Sequence, residues 1–219
     1  MADMSKPNIL FILADQLRWD ALGLDSSDYV KTPNIAKLSQ SSISFTNCFT
    51  NSPACIPARA SLSTGHYPHT LHVTANKPFT LSTDLWTWMK SARASGYETS
   101  TFGKTHLHKH SGDLRNKTAL MNAYGFDVVD EIPGPWAQRN VKSNLSSLWE
   151  DHGVLQAFCD DMRERKGKLL HRPLPLPIEL YPDSYVKDAF CRYLNSRDCN
   201  RPWCSFIGFP GPHDPWDAP

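Results

Sequence analysis

The feature that most limits the possible folds is a continuous apolar run near the start of the chain, Ile9–Ala14, which ends at Asp15. A run rich in branched side chains is typical of a strand buried on both faces, as in a parallel sheet. Further strands are predicted at residues 97–102, 124–130 and 202–209, and helices at residues 32–39, 84–95 and 184–196. This alternation predicts an α/β fold, a doubly wound and mostly parallel sheet flanked by helices.

Polar side chains follow directly after several of these predicted strands. Asp15 follows the first strand, Lys104 and His106 follow the second, and His213 follows the last. In a doubly wound sheet, ligands bind outside the carboxyl ends of the strands. We therefore expect a carboxylate, a lysine and two imidazoles on one rim of the molecule.

A loop at residues 51–65 brings Cys55 to the same rim. Pro57 suits the first turn of a helix and Gly65 suits its end, so Cys55 is predicted at a helix start. Arg59, four residues later, returns to the same face of that helix. Such a site favours a deprotonated nucleophile and an anionic substrate. The alternative is structural, with Cys55 a small buried residue and Arg59 a surface charge.

The composition excludes several classes of partner. The chain has 219 residues, 40% of them hydrophobic and 21% charged, with a formal net charge of +1 and no block of basic residues. We therefore expect no nucleic-acid partner. Neither a secretory signal nor a stretch of membrane-spanning length is visible, so the predicted location is cytoplasmic, without membrane contact. The six cysteines show no repeated short spacing and are predicted to be mostly free thiols.

Two further predictions concern parts of the chain without a clear role. Residues 131–182 are rich in proline and are expected to form an irregular surface excursion, with lid formation as an option. A group of histidines without a carboxylate at ligand spacing is expected on the surface. These histidines are His69, His72, His108, His110, His152 and His171.

The pattern Cys-x-Pro-x-Arg at residues 55–59, followed by Thr64 and Gly65, resembles the active-site motif of the type I sulfatases. Segments in the order typical of that family, and of the wider alkaline phosphatase superfamily, support the resemblance. They are residues 8–16, 32–38, 103–107 and 212–215. The pair Asp15-Gln16 is more similar to choline-sulfatase and phosphonate monoester hydrolase relatives than to sulfatases with two adjacent acids.

The resemblance implies that a maturation enzyme oxidises Cys55 to formylglycine. A hydrated aldehyde has two hydroxyls, one to attack the ester and one to expel the product, which a thiol cannot do. Asp15 and the modified Cys55 would ligate a divalent cation, and oxygen ligands suit Ca²⁺, with Mn²⁺ or Mg²⁺ as alternatives.

The resemblance also implies roles for four more residues. Arg59 would hold the formylglycine, and Lys104 would bind substrate oxygens. His106 would hydrogen-bond the formylglycine hydroxyl, and His213 would contact the leaving-group side of the ester. The predicted substrate is a small-molecule sulfate ester or a related anionic ester.

The predicted function is hydrolysis of sulfuric esters, with a phosphonate or phosphate ester hydrolase using the same nucleophile as the alternative. An alternative from a different functional class is a truncated, inactive member that only binds anions or a partner chain. The sequence leaves the oligomeric state open. We expect residues 1–219 to be the N-terminal part of a sulfatase catalytic domain, incomplete at its C-terminus. Alone, this chain would bind metal weakly and have negligible activity. An apolar edge or face should then lie uncovered near the strand that ends at Phe209.

Overall fold

The computed structural model describes residues 6–23, 30–198 and 200–219. Four strands form one sheet in the order β1-β4-β2-β3. The strands are β1 Ile9–Ala14, β2 Glu98–Gly103, β3 Val128–Glu131 and β4 Trp203–Phe209. Every pairing between them is parallel. The predicted fold class, a parallel sheet flanked by helices, is confirmed.

Seven α-helices connect and cover these strands in the part of the chain that the structure describes. They are α1 Pro33–Ser39, α2 Cys55–Thr64, α3 Trp88–Ala94, α4 Thr118–Ala123, α5 Asn144–Asp151, α6 Leu155–Arg165 and α7 Pro182–Ser196. Local chemistry explains several of the starts. Proline occupies the first position of α1 and α7, where its missing N–H costs no helical hydrogen bond. A capping box of Ser143 and Ser146 begins α5.

Alternate residues of β4 enter two separate hydrophobic clusters. Phe206 packs with residues that include Met89 and Phe126, whereas Ile207 packs with a larger cluster that includes Val186 of α7 and Trp149 of α5. Because successive strand residues point to opposite faces, the two clusters cover the two faces of the sheet. The sheet is therefore buried on both sides along β4 and β2.

The segment at residues 131–182 contains more regular structure than its proline content predicts. It includes α5 and α6, whose inward side chains join the larger core cluster. Trp149 is fully buried, and its indole N–H donates to the carbonyl oxygen of Leu180 at 2.8 Å. Much of this segment is thus part of the core, because its apolar residues recur at helical spacing and can bury one face.

The uncovered apolar edge lies at β1, one strand away from the predicted position. β4, which ends at Phe209, is paired on both sides, whereas β1 is an outer strand. Along β1, Ile9 is 42% exposed, Leu10 43% and Ile12 57%. Among the described residues, no helix is long and apolar enough to cross a membrane.

Candidate active site

The sheet brings Asp15 and Lys104 together at its carboxyl rim. Asp15 follows β1 and its backbone N–H donates to Phe209, while Lys104 follows β2 and its N–H donates to Gly208. Both side chains are buried, and the Lys104 ammonium donates to Oδ2 of Asp15. The Nη2 atom of Arg59 lies 3.6 Å from the same carboxylate oxygen. Two basic side chains therefore flank one buried carboxylate.

These charges decide the ionisation of Asp15. Burial disfavours the charged form, but the charges of Lys104 and Arg59 and the hydrogen bond from Lys104 outweigh burial and hold the pKa of Asp15 below its ordinary value. Asp15 is consequently an anion at neutral pH. An ionised carboxylate is what a divalent cation requires as a ligand.

Cys55 is the first residue of α2, as its sequence context predicts. Its Sγ lies 3.5 Å from Oδ1 of Asp15, and the helix ends at Gly65 with a left-handed φ of 74°. The backbone N–H of Ile56, which has no partner within the helix, donates to Oδ1 of Asn76 at 2.9 Å. Asn76 was not predicted as a site residue, and an isolated asparagine in a loop carries no signal for this contact. It fixes the helix start that presents Cys55.

Arg59 is buried, with 3% of its side chain exposed. Its Nη1 donates to the backbone carbonyl of Lys104 at 2.5 Å. Its Nη2 has no hydrogen-bond partner among the described residues. A buried guanidinium N–H without an acceptor is costly, so this position can receive an anionic oxygen.

His213 approaches the same site from the turn after β4. One donor atom each of Asp15, Cys55 and His213 lie within 4.8 Å of one another. The Nδ1 of His213 lies 2.6 Å from the backbone oxygen of Asp214 and 3.0 Å from its Oδ1. Hydrogen bonding with Cys55, aided by the Asp214 oxygen and opposed by burial, raises the pKa of His213.

Asp214 is itself held by a residue from the segment at residues 131–182. The indole N–H of Trp136 donates to Oδ2 of Asp214 at 2.6 Å. Neither Asp214 nor Trp136 was predicted as a site residue. Asp214 could have been predicted, because it follows His213 directly in the sequence. Nothing in the sequence places Trp136 beside Asp214.

His106 follows Lys104 in the same loop and adopts a positive φ of 57°. Burial, together with the charges of Lys104, His110 and Arg59, lowers the pKa of His106 well below its ordinary value. The ring is therefore neutral at physiological pH, and its Nδ1 has no hydrogen-bond partner in the part of the chain that the structure describes. A Cβ on Gly134 would lie 3.3 Å from the Lys104 Nζ and 3.4 Å from the His106 Nε2, so glycine permits this close packing.

A second buried carboxylate, Glu131 at the end of β3, lies beside this loop. His108 Nε2 lies 2.7 Å from Oε2 of Glu131, and His110 Nε2 lies 3.0 Å from Oε1. The hydroxyl of Thr105 also donates to Oε1. The prediction that His108 and His110 lie on the surface without a carboxylate partner is wrong. The spacing of residues in the sequence does not indicate these two contacts, because Glu131 lies on the neighbouring strand.

Hydrogen bonds determine the charge state of this second cluster. Burial disfavours ionised Glu131, but the positive charge of His110 and the hydrogen bonds from both histidines hold the pKa of Glu131 well below its ordinary value. Burial also opposes the charged form of His108, and the bond to Glu131 outweighs it and raises the pKa of His108. Glu131 is therefore ionised at neutral pH.

The remaining predictions about histidines and thiols agree with the structure where it describes them. His69, His72, His152 and His171 are exposed. The described cysteines are free thiols, namely Cys48, Cys55, Cys159, Cys191 and Cys204. Cys199 lies outside the described residues.

Some of the predicted rim residues line a cavity of about 450 Å³, whereas Lys104 and His106 do not. Its lining includes Asp15, Cys55, Arg59 and His213. A divalent cation implied by the sulfatase resemblance fits these residues in part. Asp15 supplies one ionised carboxylate, and a hydroxyl at position 55 would supply a second oxygen. The unpaired N–H of Arg59 on the same wall suits the anionic part of a substrate.

Comparison with known proteins identifies the family of the chain. The sulfatase family model matches residues 7–219, so the chain belongs to the sulfatase family. An arylsulfatase of Clostridium perfringens is 27% identical over 98% of this chain and 45% of its own length. A choline-sulfatase of Rhizobium meliloti is 28% identical over 97% of this chain and 40% of its own length. The resemblance predicted from the motifs is confirmed.

A solved structure shows the same architecture. The phosphonate monoester hydrolase of Agrobacterium radiobacter superposes with a TM-score of 0.72 at 27% identity, covering 98% of this chain and 42% of that protein. The chain thus spans less than half the length of these relatives. The activity of the whole protein is accordingly a proposal, given below.

Proposed function

We propose that this site hydrolyses sulfate esters, using a formylglycine made from Cys55 and a divalent cation bound by Asp15 and that residue. The observation that carries the proposal is the position of Cys55. It begins α2 with its Sγ 3.5 Å from the Asp15 carboxylate, one helical turn before Arg59, whose Nη2 has no hydrogen-bond partner among the described residues. The motif match to the sulfatase family supports the modification.

The electrostatics of the site favour an anionic ester. Lys104 and Arg59 are two cations against the single charge of Asp15, and the amino end of α2 adds further positive potential. Because the groups are buried, their field on a sulfate is stronger than it would be in water. The site therefore stabilises negative charge that accumulates on the non-bridging oxygens during ester cleavage.

Each side chain has a role consistent with its contacts. The formylglycine hydrate would supply two hydroxyls, one to attack sulfur and one whose later loss of a proton restores the aldehyde and releases sulfate. Arg59 and Lys104 would bind sulfate oxygens. Neutral His106 can accept a proton in a hydrogen bond, and His213, held by Asp214, can donate one to the departing alcohol.

A second candidate is hydrolysis of phosphonate or phosphate esters with the same nucleophile. The likeness to the phosphonate monoester hydrolase structure favours this candidate, and the Asp15-Gln16 pair agrees with it. The third candidate, binding of an anion or a partner chain without turnover, needs only the positive site and no modified cysteine.

The test begins with the modification of Cys55. The chain is expressed from its complete reading frame beside a formylglycine-generating enzyme, and peptide mass spectrometry measures conversion of each cysteine. We expect conversion at Cys55 alone, and Cys55→Ala should lower hydrolysis of an aryl sulfate at least about a thousandfold. Cys48→Ala, at an exposed cysteine in the same part of the chain, is the matched control and should keep full activity.

The substrates separate the three candidates. Faster turnover of an aryl phosphonate than of an aryl sulfate, with Ca²⁺ or Mn²⁺ present, would favour the second candidate. An unmodified Cys55 together with sulfate binding but no turnover of either ester would contradict both enzymatic proposals and support the binding function.

A further inference from the structure

His108, His110 and Glu131 form a cluster of metal-ligand side chains outside the Cys55 site. One donor atom from each lies within 4.8 Å of the other two. The side chains are almost fully buried, with 1% of His108, 5% of His110 and 1% of Glu131 exposed. His110 is the least enclosed of the three side chains.

The hydrogen bond on the far side of the His108 ring decides which ring nitrogen carries the proton when the ring is neutral. Its Nδ1 lies 3.1 Å from the backbone oxygen of Lys109. A carbonyl oxygen only accepts, so Nδ1 carries the proton and Nε2 of the neutral ring has a lone pair. In the neutral ring this lone pair would point at a carboxylate oxygen 2.7 Å away, whereas the charged ring donates an N–H to the same oxygen. Two electron-rich atoms so close together require a proton or a metal cation to stabilise them.

The partners around the cluster are those of a metal site. Ligating histidines usually donate the other ring N–H to a backbone carbonyl, as His108 does to Lys109. Ligating carboxylates are usually hydrogen-bonded in turn, as Glu131 is by the Thr105 hydroxyl. These contacts orient the Nε2 atom of His108 and the carboxylate before any ion binds.

The donor atoms lie slightly closer together than the ligands of one small ion would. Two ligand atoms about 2.1 Å from a tetrahedral zinc ion are about 3.4 Å apart. The nitrogen–oxygen distances to Glu131 are 2.7 Å and 3.0 Å. The cluster therefore needs only small ring movements to coordinate an ion.

We propose that His108, His110 and Glu131 bind a zinc-type transition-metal ion at a second site, distinct from the Cys55–Asp15 site. Two imidazoles and one carboxylate favour Zn²⁺ over Ca²⁺, which prefers a shell of oxygens. The two sites thus select different ions by their donor atoms. A bound ion would fix the end of β3 against the Thr105–His110 loop, which follows Lys104 and contains His106.

The test measures Zn²⁺ binding directly. The full chain is stripped with a chelator, and calorimetry follows titration with Zn²⁺ while Ca²⁺ is in excess. We expect one high-affinity zinc per chain, weakened at least about tenfold by His110→Gln. His152→Gln changes an exposed histidine and should leave the affinity unchanged. Cys55→Ala should also keep zinc binding, which separates this proposal from the proposed hydrolysis.

X-ray absorption of zinc-loaded wild-type protein gives an answer that needs no variant. We expect two imidazole ligands and no sulfur, which excludes binding by exposed thiols such as Cys48 and Cys191. A sulfur ligand, a His110→Gln affinity equal to the wild type, or the absence of tight zinc would each overturn the proposal. The last result would assign the His108–Glu131 contact to a buried ion pair that a proton stabilises.

Discussion

Two buried carboxylates lie on either side of the Lys104-Thr105 pair, and they differ in the kind of partner they have. Asp15 is bound by the Lys104 ammonium and approached by the Arg59 guanidinium. Glu131 is bound by Thr105 and by two histidines, which can be neutral. Each carboxylate lies at the carboxyl end of a parallel strand, so the backbone does not explain the difference.

The difference sets the sign of charge that each site attracts. The Asp15 site has one positive charge more than it has negative charges, and it opens onto a cavity. The Glu131 cluster keeps a negative charge whenever both rings are neutral, and it is closed. The first site is therefore suited to an anionic ester, and the second to a proton or a metal cation. Substitutions of individual charged side chains should reveal this contrast between the two sites.

The largest effect is expected from Lys104→Met. The change removes a buried cation and leaves Asp15 with Arg59 at 3.6 Å as its remaining cation. Loss of one partner of a buried ion pair should lower the free energy of unfolding by about 3 kcal/mol. Urea denaturation measures this value, and Lys109→Met, at an exposed lysine nearby, is the control. A loss below about 1 kcal/mol would mean that Lys104 is not required to balance Asp15.

A smaller effect is expected when Arg59 is replaced by lysine. Arg59→Lys keeps the charge but removes the planar fork that binds the Lys104 carbonyl and leaves Nη2 for an anion. Sulfate affinity, measured by calorimetry, should fall about tenfold, which is about 1.4 kcal/mol. Zinc affinity should not change, because Arg59 contributes no ligand to the second cluster and lysine keeps the charge that acts on Glu131. Arg163→Lys, at an exposed arginine, is the control, and a parallel loss of zinc binding would show that the two sites are not independent.

The smallest effect concerns Asp217, a half-buried carboxylate. Its pKa is raised, whereas the pKa values of Asp15 and Glu131 are lowered. Burial, partly offset by the charge of Arg165, raises the pKa of Asp217 to about 6 from 3.8. A carboxyl with a raised pKa binds its proton more tightly in the folded state, so the stability that Asp217 contributes is fully present below pH 3.8 and is lost as pH rises through about 6.

Asp217→Asn should remove this part of the pH dependence. At pH 7 the variant should be more stable by about 1 kcal/mol, after allowance for solvent screening. Thermal unfolding between pH 4 and pH 7 measures the difference, and Asp151→Asn, at an exposed position, is the control. Equal pH profiles for Asp217→Asn and the wild type would show that this carboxyl ionises as freely in the folded chain as in the unfolded one.

Much of the site could be predicted from local rules. The apolar run before Asp15 predicted β1, and the proline and glycine around Cys55 predicted α2 with its correct ends. The rule that strand ends carry ligands also applies to Glu131, the last residue of β3. In the sequence, the proline-rich segment that begins there obscures the end of this strand.

The sequence by itself determined which residues stand at strand and helix ends, because those positions follow from hydrophobic periodicity and turn chemistry over a few neighbours. Only the tertiary structure decided which of these residues meet. Asp15 contacts Lys104 from 89 residues away, and Glu131 contacts His108 from 23 residues away. Those contacts depend on the strand order β1-β4-β2-β3, which results from packing of both sheet faces and leaves no mark in the spacing of the residues themselves.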